Sequence, residues 1–171
     1  MVQECSKEPR PLIPSSGDTS GLYTPLAGAL IDKGDFEGGL AESREALRLN
    51  PSNAVAHIDA AWALLGENKP DAARGDLDAV LGADPRNYLA HYHLAWFYIQ
   101  KHQPDRAIAE ARQALQGDPN NAWYHNMLGW AFETKGDAQG ALQEYRAAYL
   151  LMPDQAGIKS NYERLLNQTK K

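Results

Sequence analysis

The sequence predicts an all-α fold in which four helix–turn–helix units stack into a solenoid and a last helix caps the array. Three observations support this prediction: prolines recur at one constant interval, small residues recur at fixed places between them, and the apolar residues of each interval follow a helical period. A constant period without insertions indicates stacked structural repeats.

The recurring prolines mark the ends of predicted helices, because proline cannot continue a helix. They are evenly spaced along the chain, at Pro51, Pro85, Pro119 and Pro153. With each proline at position 32 of a unit, the four units of equal length are 20–53, 54–87, 88–121 and 122–155. The first helix of each unit is predicted at about positions 2–14 and the second at about 17–30.

Small residues recur at three positions of the unit, where two antiparallel helices are expected to cross at close range. Position 8 holds Ala27, Ala61, Ala95 and Gly129, position 20 holds Gly39, Ala73, Ala107 and Ala141, and position 27 holds Ala46, Val80, Ala114 and Ala148. Turns separate the helices of a pair. Asp35 and Asp137 are predicted to cap second helices, whereas Pro70 and Pro104 occupy the first turn of theirs.

The two ends of the chain differ in composition from the repeats. Residues 1–19 contain three prolines and a Ser-Ser-Gly run, which favours a flexible tether. Cys5 lies in this tether and is interpreted as an unmodified thiol, the alternative being a lipid-modified cysteine that anchors the chain. Residues 156–171 are predicted as a capping helix and tail, with a helix from about Gln155 to Gln168. Its apolar face is formed by Ile158, Tyr162, Leu165 and Leu166.

Composition excludes several classes of function. The net charge is −5 with both signs scattered, so no basic stripe is available for nucleic acid. The single cysteine excludes an intramolecular disulfide and a cysteine-based zinc site. No stretch approaches the roughly 20 apolar residues of a membrane span, and the first residues lack a signal-peptide core. We therefore expect a soluble protein, cytoplasmic or periplasmic, with the compartment undetermined.

The repeat resembles the tetratricopeptide repeat family, whose pattern is matched best by the fourth unit. Leu128-Gly129, Phe132, Ala141, Tyr145, Ala148 and Pro153 fall on the family's offsets. The resemblance implies a right-handed superhelix that binds other proteins, with positions 2, 5, 6, 9, 12 and 13 facing a concave groove. The first unit departs from the pattern, because Pro25 lies within its first helix and is expected to delay the helix start to about Thr24.

The implied groove is rich in aromatic and apolar residues. Position 9 holds a tryptophan in three successive units, and large side chains of this kind often dominate binding energy at interfaces. The alternative is that these rings belong to the packed core. The predicted partner-binding residues are Ile58, Trp62, Leu89, Tyr92, His93, Trp96, Trp123, Asn126 and Trp130.

The same positions lack the lysine, asparagine and arginine clamp by which related modules hold the acidic C-terminal tail of chaperones. A chaperone tail is therefore not the expected ligand. A hydrophobic or amphipathic protein segment is expected instead.

Three histidines also recur at the period of the prolines, at His57, His91 and His125. The resemblance implies a large aromatic residue at this position, packed between the helices of a unit, and imidazole is expected to take its place. A metal site is not expected, because neighbouring histidines one repeat apart are too distant to share an ion. No catalytic cluster or phosphate-binding loop stands out from the repeat pattern, so no enzyme activity, metal or cofactor is expected.

The sequence thus predicts a non-catalytic interaction scaffold that binds a peptide or partner segment, in the role of an assembly adaptor. The alternative is a self-associating module, a homo-oligomer whose groove takes a terminus of another copy.

Overall fold

The computed structural model describes residues 20–169, and all regular secondary structure in this range is helical. The helices are α1 (Ser20–Asp32), α2 (Phe36–Leu49), α3 (Ala54–Gly66), α4 (Pro70–Ala83), α5 (Tyr88–Gln100), α6 (Pro104–Gly117), α7 (Ala122–Lys135), α8 (Ala138–Leu151) and α9 (Ala156–Thr169). The first eight form four consecutive pairs, and each pair packs against the next. The all-α solenoid predicted from the proline period is confirmed.

The first helices of the pairs lie side by side, because α1 contacts α3, α3 contacts α5, and α5 contacts α7. We call the surface they form the first-helix face. No helix within residues 20–169 is both long and apolar enough to cross a membrane.

Close helix crossing depends on the small residues, as predicted. Ala61, Ala73 and Ala107 are fully buried at three of the predicted crossing positions. A Cβ atom added to Gly129 would lie 2.6 Å from Cδ1 of Tyr145, closer than two carbon atoms can approach. Glycine at this position therefore allows α7 and α8 to pack against each other around the Tyr145 ring.

The helix ends follow local sequence signals. The Asp35 carboxylate accepts a hydrogen bond of 2.9 Å from the backbone N–H of Gly38 at the start of α2, and Asp137 does the same for Gly140 at the start of α8. Pro70 and Pro104 begin α4 and α6, where a missing N–H removes no helical bond. Asparagines that the sequence analysis did not single out cap three of the first helices, at Asn53, Asn87 and Asn121.

The first helix begins earlier than expected. Instead of starting near Thr24, α1 runs from Ser20 and contains Pro25. Pro25 has no N–H group, so the hydrogen bond to the Gly21 carbonyl is missing. The residues before Pro25 form the first turn of α1, whose N–H groups have no helical partners in any helix. The delayed start was therefore wrong. The predicted tether, with Cys5, lies outside the described residues.

The last helix packs as the sequence predicted, within one residue of the expected bounds. Ile158 lies in a buried apolar cluster with Ala122 and Ala148, and Leu165 lies in another with Ala141 and Tyr145. The apolar face of α9 therefore covers the α7 and α8 pair.

The recurring histidines make polar contacts rather than filling apolar space. Each ring places Nδ1 at 2.7–2.8 Å from a carboxylate of the second helix in its own unit, in the pairs His57–Asp76, His91–Glu110 and His125–Glu144. Each Nε2 lies 3.0–3.1 Å from the carbonyl of the proline that closes the preceding unit, Pro51, Pro85 or Pro119. The predicted packing role was thus incomplete, because each histidine also ties two units together.

Candidate functional site

A cavity of about 360 Å³ opens on the first-helix face. Six of the nine predicted partner-binding residues line it: Ile58, Trp62, Leu89, Tyr92, His93 and Trp123. Four further lining residues were not predicted as binding residues: Asp32, Asp59, Asn121 and Tyr124. Helices α1, α3, α5 and α7 all contribute, so the cavity is assembled by the stacking of four units. We call it the aromatic cavity.

The predicted residues lie at different depths in the cavity. Ile58 and His93 are buried, and Trp62 and Tyr92 are partly buried. Leu89 and Trp123 are each 42% exposed. The cavity therefore has buried residues in its lining and exposed apolar side chains beside its opening.

The rings of the cavity form a continuous aromatic wall. The centroids of Trp62 and His93 are 5.9 Å apart, those of His93 and Tyr92 are 5.0 Å apart, and those of Tyr92 and Tyr124 are 5.5 Å apart. Such separations suit tilted and edge-to-face ring pairs, which stabilise one another. The wall spans three units because Trp62, Tyr92 and Tyr124 come from α3, α5 and α7.

The other two tryptophans of the predicted row form a separate pair. The Trp96 and Trp130 centroids are 6.5 Å apart. Trp96 packs against the hydrophobic core, whereas Trp130 is more exposed. The tryptophans thus contribute to two aromatic groups on the first-helix face.

The charge of the cavity is acidic. Asp59 is only 7% exposed, and its Oδ2 atom has no hydrogen-bond partner. Desolvation raises the pKa of Asp59 to about 6, and the nearby Asp32 contributes in the same direction. None of the described residues that line the cavity is lysine or arginine. The two carboxylates are therefore not neutralised by a basic side chain of the cavity.

The two most deeply placed polar rings of the cavity are neutral at physiological pH. Burial lowers the pKa of His93 to about 3, and its Nδ1 atom has no hydrogen-bond partner. Burial raises the pKa of Tyr92 to about 12, with a smaller contribution from Tyr124. Unpartnered buried polar atoms are uncommon in folded proteins, so Asp59 and His93 mark this cavity as chemically unusual.

A second cavity, of about 510 Å³, lies at the end of the first-helix face and contains Asn126 and Trp130. Helix α9 contributes two polar side chains to it. Asn161 donates a hydrogen bond of 3.0 Å to Asn126, and Arg164 forms a bidentate ion pair with Glu133 at 2.6 and 2.8 Å. The Arg164 guanidinium lowers the pKa of Glu133. The predicted residue Asn126 is thus already bonded within the chain.

Exposed apolar side chains form a row beside the aromatic cavity. Val55, Leu89 and Trp123 occupy position 2 of successive units and are 55%, 42% and 42% exposed. Val55 was missed in the sequence analysis, although it lies one full repeat before Leu89 and could have been found from the period. Exposed apolar side chains that recur at the same position of stacked units often mark an interaction site.

Among residues 20–169, no group of three or more histidine, cysteine, aspartate or glutamate side chains is placed to hold a metal ion.

Comparison with known proteins relates this architecture to one family. Residues 64–131 match the family model described as tetratricopeptide repeat. No curated protein matches the chain.

Several solved structures share the fold. A thermophilic tetratricopeptide repeat protein of Thermus thermophilus is 19% identical, with a TM-score of 0.81 over 88% of this chain and 82% of that one. The pilF protein of Pseudomonas aeruginosa is 21% identical, with a TM-score of 0.75 over 90% and 70%. MamA of Desulfovibrio magneticus is 24% identical, with a TM-score of 0.64 over 81% and 78%.

These identities support a shared fold. The matched segment, 64–131, lies inside an array of helix pairs that extends from Ser20 to Leu151. The tetratricopeptide repeat model thus matches the middle of the array, and the solved structures share the fold of most of its length.

Proposed function

We propose that the chain is a non-catalytic scaffold that binds a peptide or a partner segment along its first-helix face and acts as an assembly adaptor. Tetratricopeptide repeat arrays are in general protein-interaction scaffolds without catalytic activity. Stacked repeats suit this role because they create long continuous binding surfaces.

The observation that supports this proposal most is the exposed apolar row beside the aromatic cavity. Val55, Leu89 and Trp123 come from three units, so a ligand that follows the row contacts each unit in turn. Tryptophan is among the residues that most often dominate interface energy. Trp123 both belongs to the row and lines the cavity, which makes it the principal anchor in this proposal.

The chemistry of the face favours a hydrophobic or amphipathic segment over an acidic tail. An acidic ligand requires basic partners, but the aromatic cavity contains the carboxyl groups of Asp32 and Asp59 and, in its described lining, no lysine or arginine. A chaperone-type acidic tail is therefore disfavoured.

A peptide-display selection tests the proposal directly. Random 12-residue peptides would be selected on the full-length chain, and the affinity of each recovered peptide would be measured by isothermal titration calorimetry. Trp123→Ala should weaken binding by roughly tenfold or more, as expected for an interface hot spot. The matched control is Leu150→Ala, because Leu150 is 68% exposed on the second helix α8 and lies off the first-helix face.

Circular dichroism should show the same helicity for both variants. Recovered peptides whose affinity is unaffected by Trp123→Ala would refute the proposed surface. Sedimentation velocity addresses the alternative: a concentration-dependent dimer that Trp123→Ala dissociates would indicate self-association instead of peptide capture.

A further inference from the structure

We propose that the aromatic cavity is a subsite for a basic side chain, lysine or arginine, of the peptide that the first-helix face binds. This inference rests on the proposed function and adds a chemical requirement to it: the ligand carries a positive charge between its apolar contacts.

The first argument is the unpaired carboxylate in the cavity lining. Asp59 is more than nine-tenths buried, its Oδ2 atom has no hydrogen-bond partner, and Asp32 adds a second carboxylate to the same lining. A buried carboxylate is stable only when it is paired or hydrogen-bonded. A guanidinium or ammonium group that enters the cavity supplies the missing donors and the missing charge together.

The second argument is the aromatic wall. Trp62, Tyr92 and Tyr124 surround the same space, and a cation within about 6 Å of such a ring is attracted by the negative charge density of its face. A lining of aromatic rings and carboxylates is complementary to a lysine or arginine side chain, because the methylene groups pack against the rings.

The third argument is the protonation state of His93. Its ring lies in the aromatic wall, and burial keeps it neutral, so it does not repel a cation. A neutral imidazole has one acceptor nitrogen, whereas an imidazolium has none. His93 therefore offers the cavity a further acceptor without adding positive charge.

The other occupants fit less well. An apolar side chain would exclude water from Asp59 without donating a hydrogen bond to it. The carboxylate would then lose solvation and gain no partner. An acidic side chain would place a third carboxylate beside Asp32 and Asp59. At about 360 Å³, the cavity is at the small end of the range for ligand pockets and suits one long side chain rather than a folded element.

The experiment uses the peptides selected on the full-length chain. In each peptide, arginine is replaced with citrulline and lysine with norleucine, which remove the charge and keep most of the shape. Affinities are measured by calorimetry for the wild type, for Asp59→Asn, and for the control Asp71→Asn. Asp71 lies on α4 with a side chain 80% exposed, and its substitution changes the net charge by the same amount.

The expected result is that citrulline or norleucine and Asp59→Asn each weaken binding by roughly tenfold to a hundredfold. The two changes together should weaken binding little more than either alone, because both remove the same contact. Asp71→Asn should change the affinity by less than about twofold, because its charge is exposed and screened.

Three results would overturn the inference. Peptides that bind in a Trp123-dependent way but contain no lysine or arginine would leave the proposed function standing and remove the basic subsite. The same holds if the peptide charge and Asp59 prove independent in the double substitution. If no peptide binds the first-helix face at all, the proposed function fails and this inference fails with it.

Discussion

Replacing His125 with glutamine should destabilise the fold most at acidic pH. In the folded chain, Nδ1 of His125 lies 2.7 Å from Glu144 Oε2, and Nε2 lies 3.0 Å from the Pro119 carbonyl oxygen. A neutral imidazole donates a hydrogen bond from only one nitrogen, so the protonated ring alone satisfies both acceptors. The hydrogen bond to Glu144 accordingly raises the pKa of His125, against the opposing effect of burial.

The direction of the pH dependence follows from this raised pKa. A histidine whose pKa is higher in the folded state stabilises the fold fully below its unfolded pKa of about 6.5. That stabilisation is lost as the pH rises through the folded value. The difference in unfolding free energy between the wild type and His125→Gln should therefore shrink as the pH is raised.

The magnitude follows from the contacts. A hydrogen bond to a charged group contributes about 1.5–3 kcal/mol net, and a neutral one contributes about 1 kcal/mol. The side chains of His125 and Glu144 are 19% and 25% exposed, so solvent places the pair at the lower end of the range. We expect a loss of about 1.5 kcal/mol near pH 5.5 and about 0.5 kcal/mol near pH 8.5.

The assay is urea unfolding followed by circular dichroism at both pH values. The control is His102→Asn, which removes an imidazole ring from the turn before α6, where His102 has a φ of 54° that asparagine tolerates. Its effect should be small at either pH. The reasoning is refuted if His125→Gln costs the same at both pH values or costs more at alkaline pH.

Two further substitutions test the packing and the buried charge. Gly129→Ala should lower the unfolding free energy by about 1–3 kcal/mol in urea titrations, because its methyl group meets the Tyr145 ring at 2.6 Å. The control Gly75→Ala has no atom within 4 Å of the new Cβ, so it should raise stability by about 0.5–1 kcal/mol. Asp59→Asn should raise stability by about 2 kcal/mol near pH 8, because a carboxyl pKa raised to about 6 makes ionisation unfavourable to the fold. This gain in stability should vanish in thermal melts below about pH 4. If no gain is found at pH 8, ionised Asp59 does not destabilise the fold. The control Asp71→Asn should give no such gain.

The sequence predicted the helical array well because its signals are local and repeat in register. Pro85, Ala95 and Ala107 each have counterparts one repeat away, so a chance match in one unit is checked by the others. Helix starts and stops therefore fell close to the structure. The start of α1 was the exception. Pro25 predicted a later helix start, but it lies just after the first turn of a helix that begins at Ser20.

The polar contacts of the histidines were within reach of the sequence but were overlooked. An acidic residue follows each histidine at the same separation, at Asp76, Glu110 and Glu144. The constant separation between each histidine and its acidic residue predicts these pairs. Hydrogen bonding between a first and a second helix leaves the same periodic signature as packing does.

The acidic character of the candidate site could not be predicted in the same way. The repeat positions of Trp62, Tyr92 and Trp123 predicted their place in the groove. The raised pKa of Asp59, however, depends on its burial in the folded chain and on Asp32 of another helix. Asn161 and Arg164 were also not predicted as cavity residues, because α9 lies outside the repeat register and its polar side chains have no counterparts in the other units.

The seating of α9 also limits how copies of this chain can associate. Another helix pair stacked after α8 would need the surface that Ile158 and Leu165 occupy, and it would break the contacts of α9 with Asn126 and Glu133. End-to-end growth of a filament at this terminus therefore requires α9 to detach. A partner that displaces α9 would lengthen the array by its own helices.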